Sequence, residues 1–420
     1  MAIERRNEKM KILYLCNSDE YNAEVTVALK DRGHGVETVI VPDEDYDLSK
    51  EMLENKQHKI LKCLENDKTD VVFSLEFYPC ISALCEYYQV VYVCWILEPP
   101  YSKLYFSSVL NETNLIFLAD KQMAEELQAE GIETVFYLPK GVCLTDSPKK
   151  GDNMLLNLGR EEGKQTEECL KEEEPWKVSF VGKLKDKSWE EYFGAEELRN
   201  STKGYLDGMV ACQRHIYGLD FFSKILPEYV LKDLMEQSTI APAVGSVESL
   251  GHYYREQCFY PKMTVTDRRY LVDTLSILKD VRVFSNDESL EKEGIINWGH
   301  MEDISVSEVV RKSKININVT PRGYRDGLYG NILEILGMGG FLISDYRPEL
   351  EKEFVAGEEI VIYEDVIDLL NKISYYTVHE EERKKIAQKG YEKVIKLHTL
   401  QHRLDKIERK INEYVRGRKQ

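Results

Sequence analysis

The run from Ile315 to Asp345 constrains the fold of this chain more than any other stretch. It predicts a short apolar strand over Ile315–Val319, a polar loop, a helix from Gly330 to Met338, a Gly339-Gly340 break, and a second strand over Phe341–Ser344. The loop carries Arg322, Arg325 and Asp326 among Pro321, Gly323 and Gly327. A strand–loop–helix unit points the helix N-terminus at whatever occupies the loop, and unpaired backbone N–H groups and the helix dipole make that spot favourable for a phosphate. Arg322 and Arg325 add fixed charge with bidentate capacity for phosphate oxygens. Glu334 lies one turn inside the helix, where a carboxylate cannot hold phosphate but can accept hydrogen bonds from sugar hydroxyls. The pattern predicts a nucleotide-sugar pocket.

The rest of the 420 residues has the same α/β alternation, and the length suggests two domains. Strands are predicted over Lys11–Cys16, Val36–Val41, Val71–Phe77, Val90–Ile96, Leu115–Leu118 and Val135–Leu138. They are short and continuous, as strands buried on both faces of a parallel sheet are. Ligands of such sheets gather beyond the carboxyl ends of the strands, which marks the loops Asn17–Tyr21, Phe77–Cys80 and Leu97–Tyr101. From Ser147 to Trp176 the chain turns polar and acidic, as an inter-domain linker would. A second α/β unit opens with Lys177–Val181. A mostly helical stretch follows over Trp189–Lys279, then strands over Val281–Ser285, Ile295–Gly299 and, beyond the 315–345 run, Glu359–Tyr363. The tail from Val366 reads as helices. The expected domains are 1–170, an N-terminal Rossmann-like acceptor domain; 171–390, a C-terminal Rossmann-like nucleotide-sugar domain with a helical insertion; and 391–420, a helix that returns to the first domain. Two such halves facing across a cleft could hold a donor on one side and an acceptor on the other.

Composition excludes several classes. A formal charge of −18, from 56 basic and 74 acidic residues, argues against nucleic acid or anionic lipid as partner. Neither half carries G-x-G-x-x-G after its first strand, and no Walker-type phosphate loop is present. The nine cysteines show no CxxC or zinc spacing and read as reduced, buried cytosolic thiols. A charged N-terminal stretch and the lack of a run of roughly 20 apolar residues set the expectation of a cytoplasmic protein with no integral membrane segment.

Several pieces are similar to one family. Gly339-Gly-Phe-Leu-Ile-Ser-Asp-Tyr-Arg-Pro-Glu-Leu, Phe354 with Gly357-Glu-Glu, and the run from Tyr375 to Gly390 resemble the C-terminal domain of CgeB-type (spore-maturation-like) glycosyltransferases. Trp95-Ile-Leu-Glu-Pro-Pro, Tyr137-Leu-Pro and Val178-Ser-Phe-Val-Gly-Lys-Leu resemble the parts that accompany it. The resemblance implies a GT-B fold and transfer of a sugar from a nucleotide donor, UDP-linked among the options, with no metal and no further cofactor. The family usually has Asp where this chain has Glu98, and often Pro and Arg where it has Tyr329-Gly-Asn331.

By the same resemblance Asp326 and Glu334 form an acidic pair, eight positions apart, that contacts donor sugar and ribose. Glu334 is the foremost candidate, because Ile332, Leu333, Ile335 and Leu336 around it are apolar. Arg322 and Arg325 are candidate phosphate ligands, with loop-anchoring ion pairs as the alternative. Gly330 and Asn331 would offer N–H groups, and Gly182, Lys183 and Lys187 form a basic turn after the first strand of the second half. Asp19, Glu76 and Glu98, at strand ends of the first half, are candidate general bases toward an acceptor hydroxyl, and His300 could line the nucleotide side. The expected activity is transfer to an unidentified protein, peptide, glycan or small-molecule acceptor. A GT-B-shaped structural or sugar-binding protein without catalysis, a nucleotide-sugar epimerase, and a nucleic-acid-modifying transferase are the rival readings.

Overall fold

The structure, a computed structural model, describes residues 9–17, 19–41, 52–65, 69–143, 175–214, 226–299 and 305–418. These residues cluster into two compact units. The first holds the chain up to Cys143, together with Gly245–Val247 and the end from His398; the second holds the remainder from Pro175 to Leu397.

The first unit is a doubly wound sheet. Its elements run β1 (Lys11–Cys16), α1 (Glu20–Asp31), β2 (Gly35–Ile40), α2 (Met52–Glu65), β3 (Val71–Ser74), α3 (Pro79–Tyr88), β4 (Val91–Ile96), β5 (Asn114–Leu118), α4 (Lys121–Ala129) and β6 (Val135–Tyr137). The strands are all parallel, in the order β2-β1-β3-β4-β5-β6. Alternate residues feed two cores, as a period of two requires. Leu13, Leu15, Val72, Cys94 and Ile116 pack under α2, α3 and α4, whereas Ile12, Tyr14, Phe73, Trp95 and Phe117 pack on the other side. β3 and β4 are buried along their whole length, which is why they read as continuous apolar runs.

The last helix, α15 (Leu400–Arg418), closes that second face. Its Leu400, Leu404, Ile407 and Ile411 share one stripe and join Val25 and Leu29 of α1 and Trp95 of β4 in a single core. The return to the first unit begins at His398 and not at 391, because the preceding helix continues without a break to Leu397. A polar clamp fixes α15. Glu408, buried to 3%, accepts from Arg32 Nε and lies 3.1 Å from His34 Nε2, while Asp405 and Gln401 take the rest of the Arg32 fork.

The second unit is a second doubly wound sheet with a helical insertion. After β7 (Trp176–Val181) come α5 (Trp189–Phe193), α6 (Asn200–Gln213), α7 (Glu228–Gln237), α8 (Leu250–Tyr254), a π-turn over Arg255–Phe259, and α9 (Tyr260–Leu275). The insertion has its own aromatic core of Trp189, Phe193, Tyr254 and Phe259. Then follow β8 (Val281–Phe284), β9 (Ile295–Asn297), α10 (Val306–Lys312), β10 (Ser313–Asn318), α11 (Gly330–Gly337), β11 (Leu342–Asp345), α12 (Pro348–Glu353), β12 (Val361–Tyr363), α13 (Val366–Val378) and α14 (Glu380–Leu397). The parallel strands lie in the order β12-β11-β10-β7-β8-β9. Numbered from β7, this is the dinucleotide-fold order 3-2-1-4-5-6, with the reversal between β7 and β10.

The fold is therefore the expected α/β one: two Rossmann-like units with a helical C-terminal tail, the components of the GT-B class. Every strand expected from the sequence is present, most of them shifted by one or two residues. The eight described cysteines are free thiols; Cys16, Cys85, Cys94 and Cys258 are buried, but Cys80 and Cys212 are exposed, which corrects the expectation of uniform burial. Among the described residues no helix is long and apolar enough to cross a membrane.

Glu408→Ala should lower stability by about 2–3 kcal/mol, because Arg32 and His34 lose a buried partner. Urea denaturation followed by circular dichroism checks it; a loss below about 0.5 kcal/mol, the range of neutral surface changes, would show that the clamp does not hold α15.

Candidate functional site at the strand-order reversal of the second unit

Where strand order reverses, the loops leaving two adjacent strands part to opposite faces and open a crevice at the carboxyl edge. β7 and β10 are those strands, with Ser179 facing Asn316 and Phe180 facing Ile317 in register. A small pocket of about 70 Å³ lies there, lined by Ser179, Val181, Asn316, Asn318, Asn331 and Glu334, with Ile317, Ile335 and α10 completing the wall. Asn331, Glu334 and Ile335 are spaced i, i+3, i+4 and so share the face of α11 that looks onto the sheet. Asn316 and Asn318 alternate along β10 and share one face of the strand.

The floor is polar and ordered. Ser179 Oγ donates to Asn316 Oδ1 at 3.0 Å, and Asn316 Nδ2 donates to the Phe341 carbonyl at 3.1 Å. Asn318 Nδ2 reaches Thr320 Oγ1, Ser344 Oγ and Asp345 Oδ1 at 3.1, 3.0 and 3.2 Å. Asp345, 2% exposed, also accepts from Thr320 N at 2.9 Å and Thr320 Oγ1 at 2.8 Å, and pairs with Arg347 at 3.1 Å. Arg347 in turn donates to the Thr320 carbonyl at 3.3 Å. This network fixes where the chain leaves β10 and so aims the loop of residues 320–329.

The residues singled out in the sequence fall into separate groups. Glu334 is half-buried, with Ile332, Leu333, Ile335 and Leu336 all buried, and it lines the pocket. Asn331 joins it, and Gly330 is buried at the first turn of α11, whose N-cap residue Tyr329 makes no side-chain capping hydrogen bond. Arg322 is elsewhere engaged. Its Nε donates to Asp267 at 2.6 Å, its backbone N–H donates to Thr264 Oγ1 at 2.9 Å, and the side chain is 7% exposed. Burial pushes the Asp267 carboxyl up, and the Arg322 guanidinium pulls it back. That is the loop-anchoring alternative. Arg325 lies in the field of Glu256, a carboxyl pushed up by burial and drawn down by Arg255, His252 and Arg325. Asp326 Oδ1 accepts from Glu349 N at 3.0 Å, holding the start of α12.

Lys183 and Lys187 are exposed on the turn after β7. That turn is pinned by Asn286 Oδ1, which accepts from Leu184 N and Lys185 N at 2.9 and 3.1 Å. The Gly182 N–H is spent on the Phe284 carbonyl at 3.0 Å. His300 lies outside the described residues. In the first unit Asp19 caps α1 by accepting from Asn22 N at 2.7 Å, Glu76 pairs with Lys103 at 3.2 Å, and Glu98 is exposed. Among the described residues no group of three or more His, Cys, Asp or Glu side chains is placed to hold a metal ion.

Sequence reasoning missed the polar floor and Arg268. The floor had a readable sign: β10 repeats Asn at alternate positions in a strand covered on both faces, where apolar residues are the rule. Arg268, on α9, is 6% exposed and donates through Nη2 to the Val319 carbonyl at 3.1 Å. Nothing in the sequence separates it from its neighbour Arg269.

With this geometry in place, comparison with known proteins adds one match to a family. Residues 268–409, roughly a third of the chain, match the family described as "Glycosyl transferase-like". The match contains β10, α11 and the whole loop between them. No curated protein matches the chain. Among solved structures the chain is similar to a glycosyltransferase from Rickettsia africae ESF-5, at 13% identity and TM-score 0.49, covering 97% of this chain and 99% of that one. It is similar to a sucrose-phosphate synthase from Thermosynechococcus elongatus, at 11% identity and TM-score 0.44, covering 97% and 99%. It is also similar to Anabaena Alr3699/HepE in complex with UDP and glucose, at 10% identity and TM-score 0.47, covering 97% and 100%. Likenesses at this level say nothing about which residues act.

Two substitutions separate the scaffold from the pocket. Asp345→Ala should cost about 3 kcal/mol by leaving Arg347 buried without a counter-charge, whereas Asp326→Ala should cost only about 1 kcal/mol, the value of a helix-start hydrogen bond. Equal costs in chemical denaturation would contradict the network described here.

Proposed function

We propose that the protein is a glycosyltransferase that binds its nucleotide-sugar donor at the β7–β10 crevice of the second unit. One observation carries the reading. Glu334 stands beside Asn331 and Ile335 on one face of an otherwise largely apolar helix, in the wall of a polar-floored pocket at the strand-order reversal, within the segment that matches a glycosyl transferase-like family. A carboxylate in that setting accepts hydrogen bonds from vicinal hydroxyls, which ribose and hexoses both offer. At about 70 Å³ the pocket is far smaller than a nucleotide, so it takes a hydroxyl-bearing edge of the donor while the rest lies along the carboxyl ends of the strands. The start of α11, where Tyr329 supplies no side-chain cap, would present the Gly330 and Asn331 backbone and the positive end of the helix dipole to the diphosphate.

In the reaction, the bond between the anomeric carbon and the terminal diphosphate oxygen breaks and its electron pair leaves with the nucleoside diphosphate. The acceptor oxygen bonds to that carbon and its proton passes to a base. Asp19, Glu76 and Glu98 are the first-unit carboxylates proposed for that role, and Glu98 is the most exposed candidate not engaged as a cap. Charge grows on the diphosphate, so fixed donors and guanidinium groups around it lower the barrier. We propose this as the stabilising device in place of a metal ion, with Arg325, Lys183 and Lys187 as further cations. The acceptor is an unidentified protein, peptide, glycan or small molecule, and the free thiols fit a cytoplasmic setting.

Assays of nucleoside diphosphate release from UDP-, GDP-, ADP- and TDP-sugars should find one donor class that is turned over. Glu334→Ala should cut kcat/KM for it by about 100-fold, the loss of a charged hydrogen bond to substrate, with the melting temperature within a few degrees of wild type. Unchanged turnover in that variant would defeat the site, and binding of a donor without any turnover would leave a sugar-binding protein.

A further inference from the structure

Several arginines near the carboxyl edge of the second sheet have carboxylate partners. Arg269 pairs with Asp287, Arg322 with Asp267 and Arg347 with Asp345. Arg268 is buried more deeply than Arg322, yet no carboxylate among the described residues lies within ion-pair distance of it. Its one acceptor among those residues is the Val319 carbonyl, and its Nε is buried with none. A guanidinium removed from water without a counter-charge is costly, and uncompensated groups of this kind concentrate at sites that bind something.

Its position says what it faces. Val319 directly follows β10, and Gly182 directly follows β7. A Cβ added at Gly182 would stand 3.3 Å from the Arg268 guanidinium carbon and 2.8 Å from the Phe180 ring, so the bare glycine is what lets the guanidinium lie against the end of β7. The helix that carries Arg268 packs Leu271, Val272 and Leu275 against Val178 and Phe180, on one face of the sheet. The pocket with Glu334 opens toward the other residues of the same strands, Ser179 and Val181. Arg268 thus reaches the carboxyl edge from one face and α11 reaches it from the other.

We infer that Arg268 holds the diphosphate of the donor, through guanidinium N–H groups that the fold leaves unused. This rests on the nucleotide-sugar reading above and names the residue that receives the leaving group's charge. Bidentate contact to two phosphate oxygens would supply the missing counter-charge, and a cation already fixed and desolvated gains most as the diphosphate takes up the electron pair of the broken bond.

The test measures UDP, GDP, ADP and TDP binding by isothermal titration on wild type, then compares the best of them with its nucleoside for Arg268→Met and Arg268→Lys. The expected result is a loss of about 30-fold in diphosphate affinity for R268M, as for a charge-assisted contact, with nucleoside affinity within about 3-fold. R268K should fall between R268M and wild type. Ligand-free R268M should melt at or above wild type, since a buried uncompensated cation is gone; an arginine that served only the fold would lower it. Equal loss for diphosphate and nucleoside, or unchanged diphosphate affinity, overturns the role of Arg268 and leaves the donor site standing. Should R268M not fold, a purely structural part is indicated and R268K decides: full diphosphate affinity there refutes the inference, and a selective loss sustains it. If wild type binds none of the four diphosphates, the donor reading itself fails and the inference with it.

Discussion

The reversal of strand order between β7 and β10 is the constraint on which the second unit's chemistry depends. Parallel strands with right-handed crossovers send successive helices to one face until the order reverses, and then to the other. α9 and α11 therefore approach the same carboxyl edge from opposite sides, with Arg268 on the Val319 carbonyl just past β10 and Glu334 in the pocket wall. Neither residue needs a long loop to get there. Rigid elements place both, which is the condition for donors and acceptors to be fixed before a ligand arrives.

At the base of the crevice lies a set of buried polar groups in a sheet whose other inward residues are largely apolar. Asn318, Thr320, Ser344, Asp345 and Arg347 satisfy one another through side-chain and backbone hydrogen bonds, and Asn316 is tied to Ser179 and the Phe341 carbonyl. Low local dielectric makes such a network strong when complete and expensive when broken. It therefore specifies the exit angle of the loop after β10 more tightly than apolar packing would. Arg322 and Asp326 extend the same logic, tying the loop to α9 through Asp267 and to α12 through Glu349 N.

The architecture was legible because parallel strands buried on both faces write themselves as unbroken apolar runs. β4, with every residue buried, is the clearest instance, and the stripe Leu400, Leu404, Ile407, Ile411 foretells a helix with one covered face. Glu334 was legible for a related reason, since a lone acid among four buried apolar neighbours has few places to point. Partnership was not legible. Arg322 and Arg325 looked alike on the page, yet one is tied to Asp267, a residue of α9 far upstream, and sequence spacing cannot show that. Asp19 likewise looked like a base at a strand end, and its carboxylate caps α1. Arg268 stayed hidden because what distinguishes it is a missing counter-charge, and an absence of that kind appears only when the neighbours are in place.

Hydrogen–deuterium exchange with and without a nucleoside diphosphate, UDP first and then the GDP, ADP and TDP series, tests the central claim most directly. Amides clasped by the ligand at the crevice should exchange at least about tenfold more slowly, the effect of about 1.4 kcal/mol of added protection, in peptides covering 328–336 and 181–185. Protection by a bound diphosphate that leaves both peptides unchanged and appears in other segments would contradict the account.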